Sequence, residues 1–205
     1  MESSAVLKAA ERRYACKHYR DRRIEKKDLE DILESARLAP TSFGMEMFDI
    51  YVCRSSDIID ACFNQECMKT APVTLVITVK KAKYYDPDGE FVRERAMRFP
   101  GTVEEYVEDF RGYYEYLRER GELDMWAKSQ GYIPLSFMML TASEKGIESC
   151  AIEGFDNDRL IERLGLDSNE DQVSVCLSLG YPDETRVRIR RDLGDIVKYH
   201  GGYRE

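Results

Sequence analysis

Apolar residues recur at Leu29, Ile32, Leu33 and Ala36 with charges between them, the i, i+3, i+4, i+7 spacing of an amphipathic helix. Pro40 closes that helix, because proline excludes the helical conformation from the residue before it. A shorter helix is expected ahead of it, over about Ser4 to Arg12. The run PVTLVITV (72–79) is β-branched, nearly uncharged and apolar on both faces, so it predicts a strand in a sheet covered on two sides. VSVCLSLG (173–180) reads the same way, and DIYVC (49–53) is a third strand candidate followed by a short helix, SSDIIDACF (55–63). Thr102 and Glu105 have the spacing of a capping box and open a helix running to about Arg118. A long helix follows from about Leu123 to Lys145, apolar through IPLSFMMLTA, with Gly146 as the left-handed residue past its end. Asp156 caps a short helix carrying Leu160, Ile161 and Leu164. After Pro182 the chain turns basic and extended (TRVRIRR), and LGDIVKY (193–199) predicts a final short helix. Helices and strands mixed without strict alternation predict an α+β fold, with helices on both faces of one sheet.

Composition narrows the class. A length of 205 residues suits one domain. Within it, residues 81–121 stand apart as charged and aromatic, with Tyr106, Phe110, Tyr113, Tyr114 and Tyr116 crowded together. A net charge of -8 argues against a nucleic-acid partner, which demands a basic surface. No apolar run approaches the roughly 20 residues that cross a bilayer, and MESSAVLKAAERR lacks the apolar core of an export signal. The six cysteines, at 16, 53, 62, 67, 150 and 176, form no C-x-x-C, and there are only two histidines. That excludes a zinc site of ordinary spacing and predicts reduced, mostly buried thiols in a cytoplasmic protein.

The chemistry lies in the polar residues. Arg13, Arg188 and Arg190 carry guanidinium forks suited to phosphate, and an Arg-x-Arg pair in an extended segment puts both side chains on one face. Taken alone, the tail arginines read first as solvated surface; with Arg13 they read as a phosphate cradle. Gly154 allows a planar ligand edge to approach the backbone closely, or serves simply as a turn. Asn64, in FNQECMKTAP, reads as a helix cap. No G-x-G-x-x-G follows a strand, so a Rossmann nucleotide site is not indicated.

Four segments in order resemble one family. RRYACKHY (12–19), SARLAPTSFGMEMFDIYV (35–52), KGIESCAIEGFD (145–156) and RIRRDLGDIV (188–197) are similar to the motifs of the FMN-dependent NAD(P)H nitroreductase and flavin reductase superfamily. The likeness covers nearly the whole chain except about 81–121. It implies a three-layer α-β-α fold, a central mixed sheet flanked by helices, in a domain-entwined homodimer. It implies a single domain over 1–205, with 81–121 a variable helical insertion that, with Tyr132, walls or lids the substrate pocket. The cofactor would be FMN and the donor NADH or NADPH. Transfer to nitroaromatics, quinones or similar small acceptors would be ping-pong, with no metal and no dedicated acid or base. By the resemblance, Arg13, Tyr14, Ala15, Arg188 and Arg190 surround the phosphate, while Lys17 lies beside N1/O2 and tunes the flavin. Asn64 bonds the pyrimidine edge, and the backbone N–H groups around Glu153 and Gly154 face N5 and O4. Pro40, Thr41, Ser42, Gly44 and Glu46 would reach the flavin from the partner subunit, giving shared active sites.

The departures from the pattern fall near the substrate. Gly44 stands where the family commonly has Asn, Glu46 where it has Gln, and Met47-Phe48 where it has Pro-Trp. Ala15 replaces a hydroxyl residue, and Cys67 occupies the place of a second lysine carried by some members. Two other functions fit the same motifs: another reaction on the same flavin, such as dehalogenation or dehydrogenation, and a non-enzymatic FMN-binding protein.

Overall fold

The computed structural model describes residues 4–200; residues 1–3 and 201–205, the ends of the expected 1–205 domain, lie outside the described residues. In chain order the elements are α1 (Ala5–Arg12), α2 (Lys26–Arg37), β1 (Phe48–Cys53), α3 (Ser55–Ile58), α4 (Glu66–Lys69), β2 (Val73–Lys80), α5 (Glu90–Ala96), α6 (Val103–Arg120), α7 (Leu123–Gln130), α8 (Tyr132–Glu144), β3 (Glu148–Ile152), α9 (Asn157–Arg163), β4 (Asp171–Gly180) and α10 (Leu193–Ile196). Ser4 caps α1 through its side chain, and Asp156 caps α9.

The strands form one sheet in the order β1-β2-β4-β3, every neighbouring pair antiparallel. The expected mixed character is therefore confined to one isolated parallel bridge, Ala15 to Ser149. Alternation along β2 divides the core. Leu75 and Ile77 face a layer built from Ile32 and Ala36 of α2 and Leu135, Met138 and Ala142 of α8. Val76 faces the opposite layer, where Ile58, Met68, Leu160 and Ile161 come from α3, α4 and α9. Those are the three layers, and they follow from the period of two along a strand.

One irregularity organises much of the rest. On β4, Val175, Leu177 and Leu179 face the α2/α8 layer, yet Val173, an even number of residues away, faces the α9 layer with Cys176. The register explains this: Ile77 pairs with Val175 and Thr78 with Val173, so Ser174 is an extra, bulged residue. The Ser174 hydroxyl donates to the Lys128 carbonyl at 2.6 Å, and a Cβ at Gly131 would lie 2.2 Å from that hydroxyl oxygen. The single helix expected over 123–145 is two, α7 and α8, meeting at Gly131, where only a hydrogen fits over the bulge, and Pro134 of α8 has no N–H to return to the Gln130 carbonyl.

Other expectations are corrected locally. The helix predicted over 55–63 stops at Ile58, and the chain then turns through Phe63 (φ 54°) and Asn64 (φ 52°), both left-handed. β3 was not predicted: it begins at Glu148, buried despite its charge, and its apolar content is low. Residues 81–121 have a core of their own. Tyr85, Val92, Tyr106 and Phe110 pack with Trp126 of α7 and with Met45 and Met47, edge-to-face and stacked rings making up much of the contact.

The capping box at Thr102 is present in full: its hydroxyl accepts from the Glu105 N–H at 3.1 Å, and the Glu105 carboxylate accepts from the Thr102 N–H at 2.8 Å. Replacing Thr102 by Ala is expected to destabilise the fold by roughly 0.5–2 kcal/mol, with glycine costing only a few tenths. Urea denaturation of the two variants checks both the size and the order of the effect.

Candidate functional site

The segment after α1 is threaded between two parts of the chain that are remote in sequence. Ala15 bridges Ser149 of β3, and the Cys16 N–H donates to the Ser149 carbonyl at 3.2 Å. Tyr19 bridges Pro182, the Arg20 N–H donates to the Tyr181 carbonyl at 2.9 Å, and the Asp183 N–H donates to the His18 carbonyl at 3.0 Å. Gly180 makes this close approach possible, since a Cβ there would sit 2.8 Å from the Tyr19 ring. Residues 13–20, β3 and the basic tail are thereby brought to one place.

At its head stand the arginines. Arg13 is half-buried and, among the described residues, its guanidinium makes no hydrogen bond and no ion pair. Its pKa is lowered, first by burial and then by the charge of Arg190, with Arg188 acting the same way and Glu148 opposing. Arg188 turns inward and donates to the Ala10 carbonyl at 2.6 Å, whereas its neighbours Val187 and Ile189 are 93% and 87% exposed. Alternation along the extended tail thus aims one arginine at Arg13 and two apolar residues at solvent. Arg190 is exposed and donates to its neighbour's carbonyl, that of Ile189, at 2.9 Å. The carboxylate of Glu148 accepts from the Tyr14 N–H at 3.1 Å, and burial raises its pKa against the pull of that bond and of Arg13.

Below the arginines, Lys17 is fixed at both ends. Its N–H donates to the Glu184 carboxylate, which also accepts from His18, and the Tyr14 hydroxyl donates to the Glu184 carbonyl. Hydrogen bonding from Arg186 is the main cause that holds Glu184 down at about 2. The Lys17 ammonium donates to the Cys150 thiol sulfur at 2.9 Å. Burial is the largest influence on the Lys17 pKa and acts to lower it, but the bond to Cys150 together with the charge of the neighbouring thiols carries the net direction up.

The far side is a turn against a strand end. Gln65 donates through its amide to the Gly154 carbonyl at 2.6 Å, which ties the Phe63–Asn64 turn to the end of β3. A Cβ on Gly154 would stand 3.2 Å from that amide, a tight approach in the absence of any unusual φ. The Glu153 carboxylate accepts from the Tyr132 hydroxyl at 2.8 Å, and burial is the first cause that raises Tyr132 to about 12. Among the described residues, the N–H groups of Glu153 and Gly154 donate to nothing in the chain.

Pro40, Thr41, Ser42, Gly44 and Glu46 lie elsewhere, on a 3-10 turn joined to the 81–121 region. Phe43, Gly44 and Glu46 all have positive φ. The Thr41 hydroxyl accepts from the Glu46 N–H at 2.8 Å, and buried Gln130 accepts from the Ser42 N–H at 2.8 Å. Tyr106 donates to the Phe43 carbonyl at 3.1 Å, Arg98 pairs with Glu46, and the Phe43 ring packs on Tyr106, Phe110 and Tyr113. Among the described residues, no hydrogen bond, ion pair or ring contact joins this turn to 13–17, to Asn64 or to 153–154. Sequence reasoning missed Gln65, Arg98, Gln130, Cys150 and Glu184. Only Gln65 and Cys150 left a trace, one beside Asn64 and the other inside a quoted motif.

Comparison with known proteins follows this geometry. The model of the nitroreductase family matches residues 10–181. A Bacillus subtilis protein provisionally named an NAD(P)H nitroreductase is 28% identical over 217 residues, 95% of this chain and 96% of its own. A provisionally named nitroreductase of Exiguobacterium sibiricum, crystallised in complex with FMN, has a similar fold: TM-score 0.77 at 21% identity, covering 97% of this chain and 99% of that one. A nitroreductase family protein of Streptococcus pneumoniae gives 0.75 at 21%, over 94% and 98%. No helix among the described residues is long and apolar enough to cross a membrane.

Proposed function

The chain belongs to the nitroreductase family, and on that premise we propose that it is an FMN-dependent oxidoreductase passing electrons from NADH or NADPH to nitroaromatics, quinones or similar small acceptors. The observation that carries the reading is Arg13: a half-buried guanidinium with no partner among the described residues, in the positive field of Arg188 and Arg190. A cluster of cations whose innermost guanidinium has no hydrogen-bond partner among the described residues is what a phosphate dianion completes. The unengaged N–H groups at 153 and 154 fit the other end of the same ligand, where donors are wanted at the rim of an aromatic ring system.

FMN, when bound, supplies reversible two-electron chemistry. Arg13 and Arg188 hold its phosphate, with Arg190 adding charge at the mouth and Tyr14 and Ala15 forming the wall. Lys17, kept in place by Glu184 and Cys150, would present positive charge to the N1/O2 edge of the flavin, an electrostatic effect needing no proton transfer by the protein. Glu153 and Gly154 orient the opposite edge through their backbone, and Asn64 the pyrimidine rim. The 81–121 region acts as a wall over the reacting face, because it carries its own aromatic core and braces the 41–46 turn.

The functional unit is a homodimer with shared sites. Two observations support this: among the described residues no hydrogen bond, ion pair or ring contact joins the 41–46 turn to the site residues of its own chain, and the tail exposes Val187, Ile189, Leu193 and Ile196 to solvent. Apolar side chains in an extended segment fit a surface covered by a second copy.

Protein purified from an expressing host is expected to be yellow, with about one FMN per chain, and to bleach anaerobically with NADH or NADPH. Mixing the bleached protein with a quinone or a nitrofuran should restore the colour. Colourless protein that takes up no added FMN sinks the reading, and yellow protein that neither nicotinamide bleaches leaves a binding protein instead of a reductase.

A further inference from the structure

The 41–46 turn has little left with which to bond a ligand. Its carbonyls are taken in order: Thr41 accepts from the Gly44 N–H at 2.9 Å, Ser42 from the Met45 N–H at 3.1 Å, Phe43 from the Tyr106 hydroxyl at 3.1 Å and Met45 from Arg98 at 3.4 Å. The N–H groups of Ser42 and Glu46 are spent on Gln130 and on the Thr41 hydroxyl. Glu46, the only charged side chain between 41 and 46, is paired with Arg98. Hydrogen bonds and net charge are therefore not what this turn offers. What remains is apolar surface.

That surface is supplied by Phe99. The Cβ that another residue would carry at Gly44 would stand 2.2 Å from Cζ of the Phe99 ring and 2.9 Å from its Cε1, so the ring occupies the place of a side chain at 44. Tyr106 lies against it, ring centroids 5.2 Å apart and planes 37° from parallel. The Tyr106 hydroxyl bonds to Phe43, next to Gly44, and so locks that support to the turn itself. Tyr106 and Phe110 are buried, whereas Phe99 remains 37% exposed. A ring held at its edge and its flank, with part of its surface open, is preorganised for stacking and loses little freedom when a second ring covers it.

We propose that Phe99, seated on Gly44, is the specificity-determining residue that selects flat, uncharged aromatic acceptors at the shared site. The inference rests on the flavin and shared-site reading above and deepens it, because the turn that completes the partner's site carries the Phe99 ring with it. A fused-ring quinone or nitroarene presents a flat face to Phe99 beyond its reacting group, whereas a compact or saturated acceptor presents none. The closed Arg98–Glu46 pair adds no net charge that would draw in an anionic ring. Phe99 acts on the choice of acceptor and takes no part in the electron transfer.

The test uses the full-length protein with its flavin and a redox-inert probe, naphthalenecarboxamide, titrated by calorimetry. Phe99→Leu keeps apolar volume on Gly44 and removes the flat face. It should weaken the probe by about 3- to 10-fold, the size of one ring–ring contact, while Phe99→Tyr stays within about twofold of the wild type. The fully saturated decalin carboxamide should bind both variants as it binds the wild type. On rapid mixing of pre-reduced protein, Phe99→Leu should raise the half-saturating concentration of menadione by the same factor. Oxidation by ferricyanide, which has no ring, should be unchanged. Equal loss of the aromatic and saturated probes overturns the proposal, because Phe99 would then only pack the turn. No binding of the aromatic probe to the wild type, or unchanged affinity in Phe99→Leu, overturns it also. Where a variant fails to fold, a diazirine-bearing naphthalene photolinked to the wild type decides: label is expected on the peptide carrying Phe99, and its absence there overturns the proposal. Colourless protein that takes up no FMN removes the flavin reading and this inference with it, whereas yellow protein with unchanged affinities removes the role of Phe99 alone.

Discussion

Replacing Arg13 by alanine is expected to weaken FMN binding by about 10- to 150-fold and to leave the fold as stable as before. The first figure follows from the roughly 1.5–3 kcal/mol that a hydrogen bond to a charged group contributes, converted to an affinity. The second follows from the environment of the side chain. Arg13 holds no protein partner among the described residues, and both burial and the neighbouring arginines work against its charge. Its removal therefore relieves repulsion from the other arginines and breaks no hydrogen bond or ion pair among the described residues, losing only its attraction to Glu148. Arg188 makes the informative contrast. It donates to the Ala10 carbonyl as well as facing the cluster, so Arg188→Ala should lower both affinity and stability. Fluorescence titration of FMN, with a thermal melt of the flavin-free protein, separates the two effects. Unchanged FMN affinity in Arg13→Ala would move the phosphate to another part of the molecule and leave the family assignment untouched.

What could be read in the sequence was whatever is local. β2 and β4 were legible because each is a run of apolar, β-branched residues buried on both faces, and the Thr102 and Asp156 caps because a cap is a contact within four residues. The need for glycine at 131 was not, since it comes from the bulged Ser174, more than forty residues away on another element. β3 was missed for a related reason. Its first residue is a buried glutamate whose partners, Tyr14 and the arginines, come from the opposite end of the chain. The site divides the same way. Guanidinium chemistry marks Arg13 and Arg188 singly, but their meeting depends on the bridges from Ala15 to Ser149 and from Tyr19 to Pro182. The Lys17–Cys150 bond had no sequence signal at all, because two residues 133 apart become neighbours only through the first of those bridges.

Two inactive variants are expected to regain activity when their subunits are exchanged. One carries Arg13→Ala with Lys17→Met, the other Gly44→Val. The glycine has φ +58°, and a Cβ there would lie 2.2 Å from the Phe99 ring, so valine displaces the 41–46 turn while leaving the arginine cluster alone. If that turn completes the partner's site, each mixed dimer has one site drawing both intact segments and one site with both defects. Random exchange of equal amounts makes half of all dimers mixed, so about a quarter of the wild-type sites are rebuilt, as closed two-fold symmetry requires. If instead the turn served the site of its own chain, every site in the mixture would carry a defect, and activity would stay at the level of the separate variants. The measurement is NAD(P)H oxidation with a quinone acceptor, on a mixture whose mixed dimers have been isolated by two different affinity tags. Isolated mixed dimers without activity would remove the shared site while leaving the cofactor reading in place. Recovery near half of the wild-type activity in the isolated mixed dimers would tie the positive-φ turn, and the helices that brace it, to chemistry on the opposite subunit.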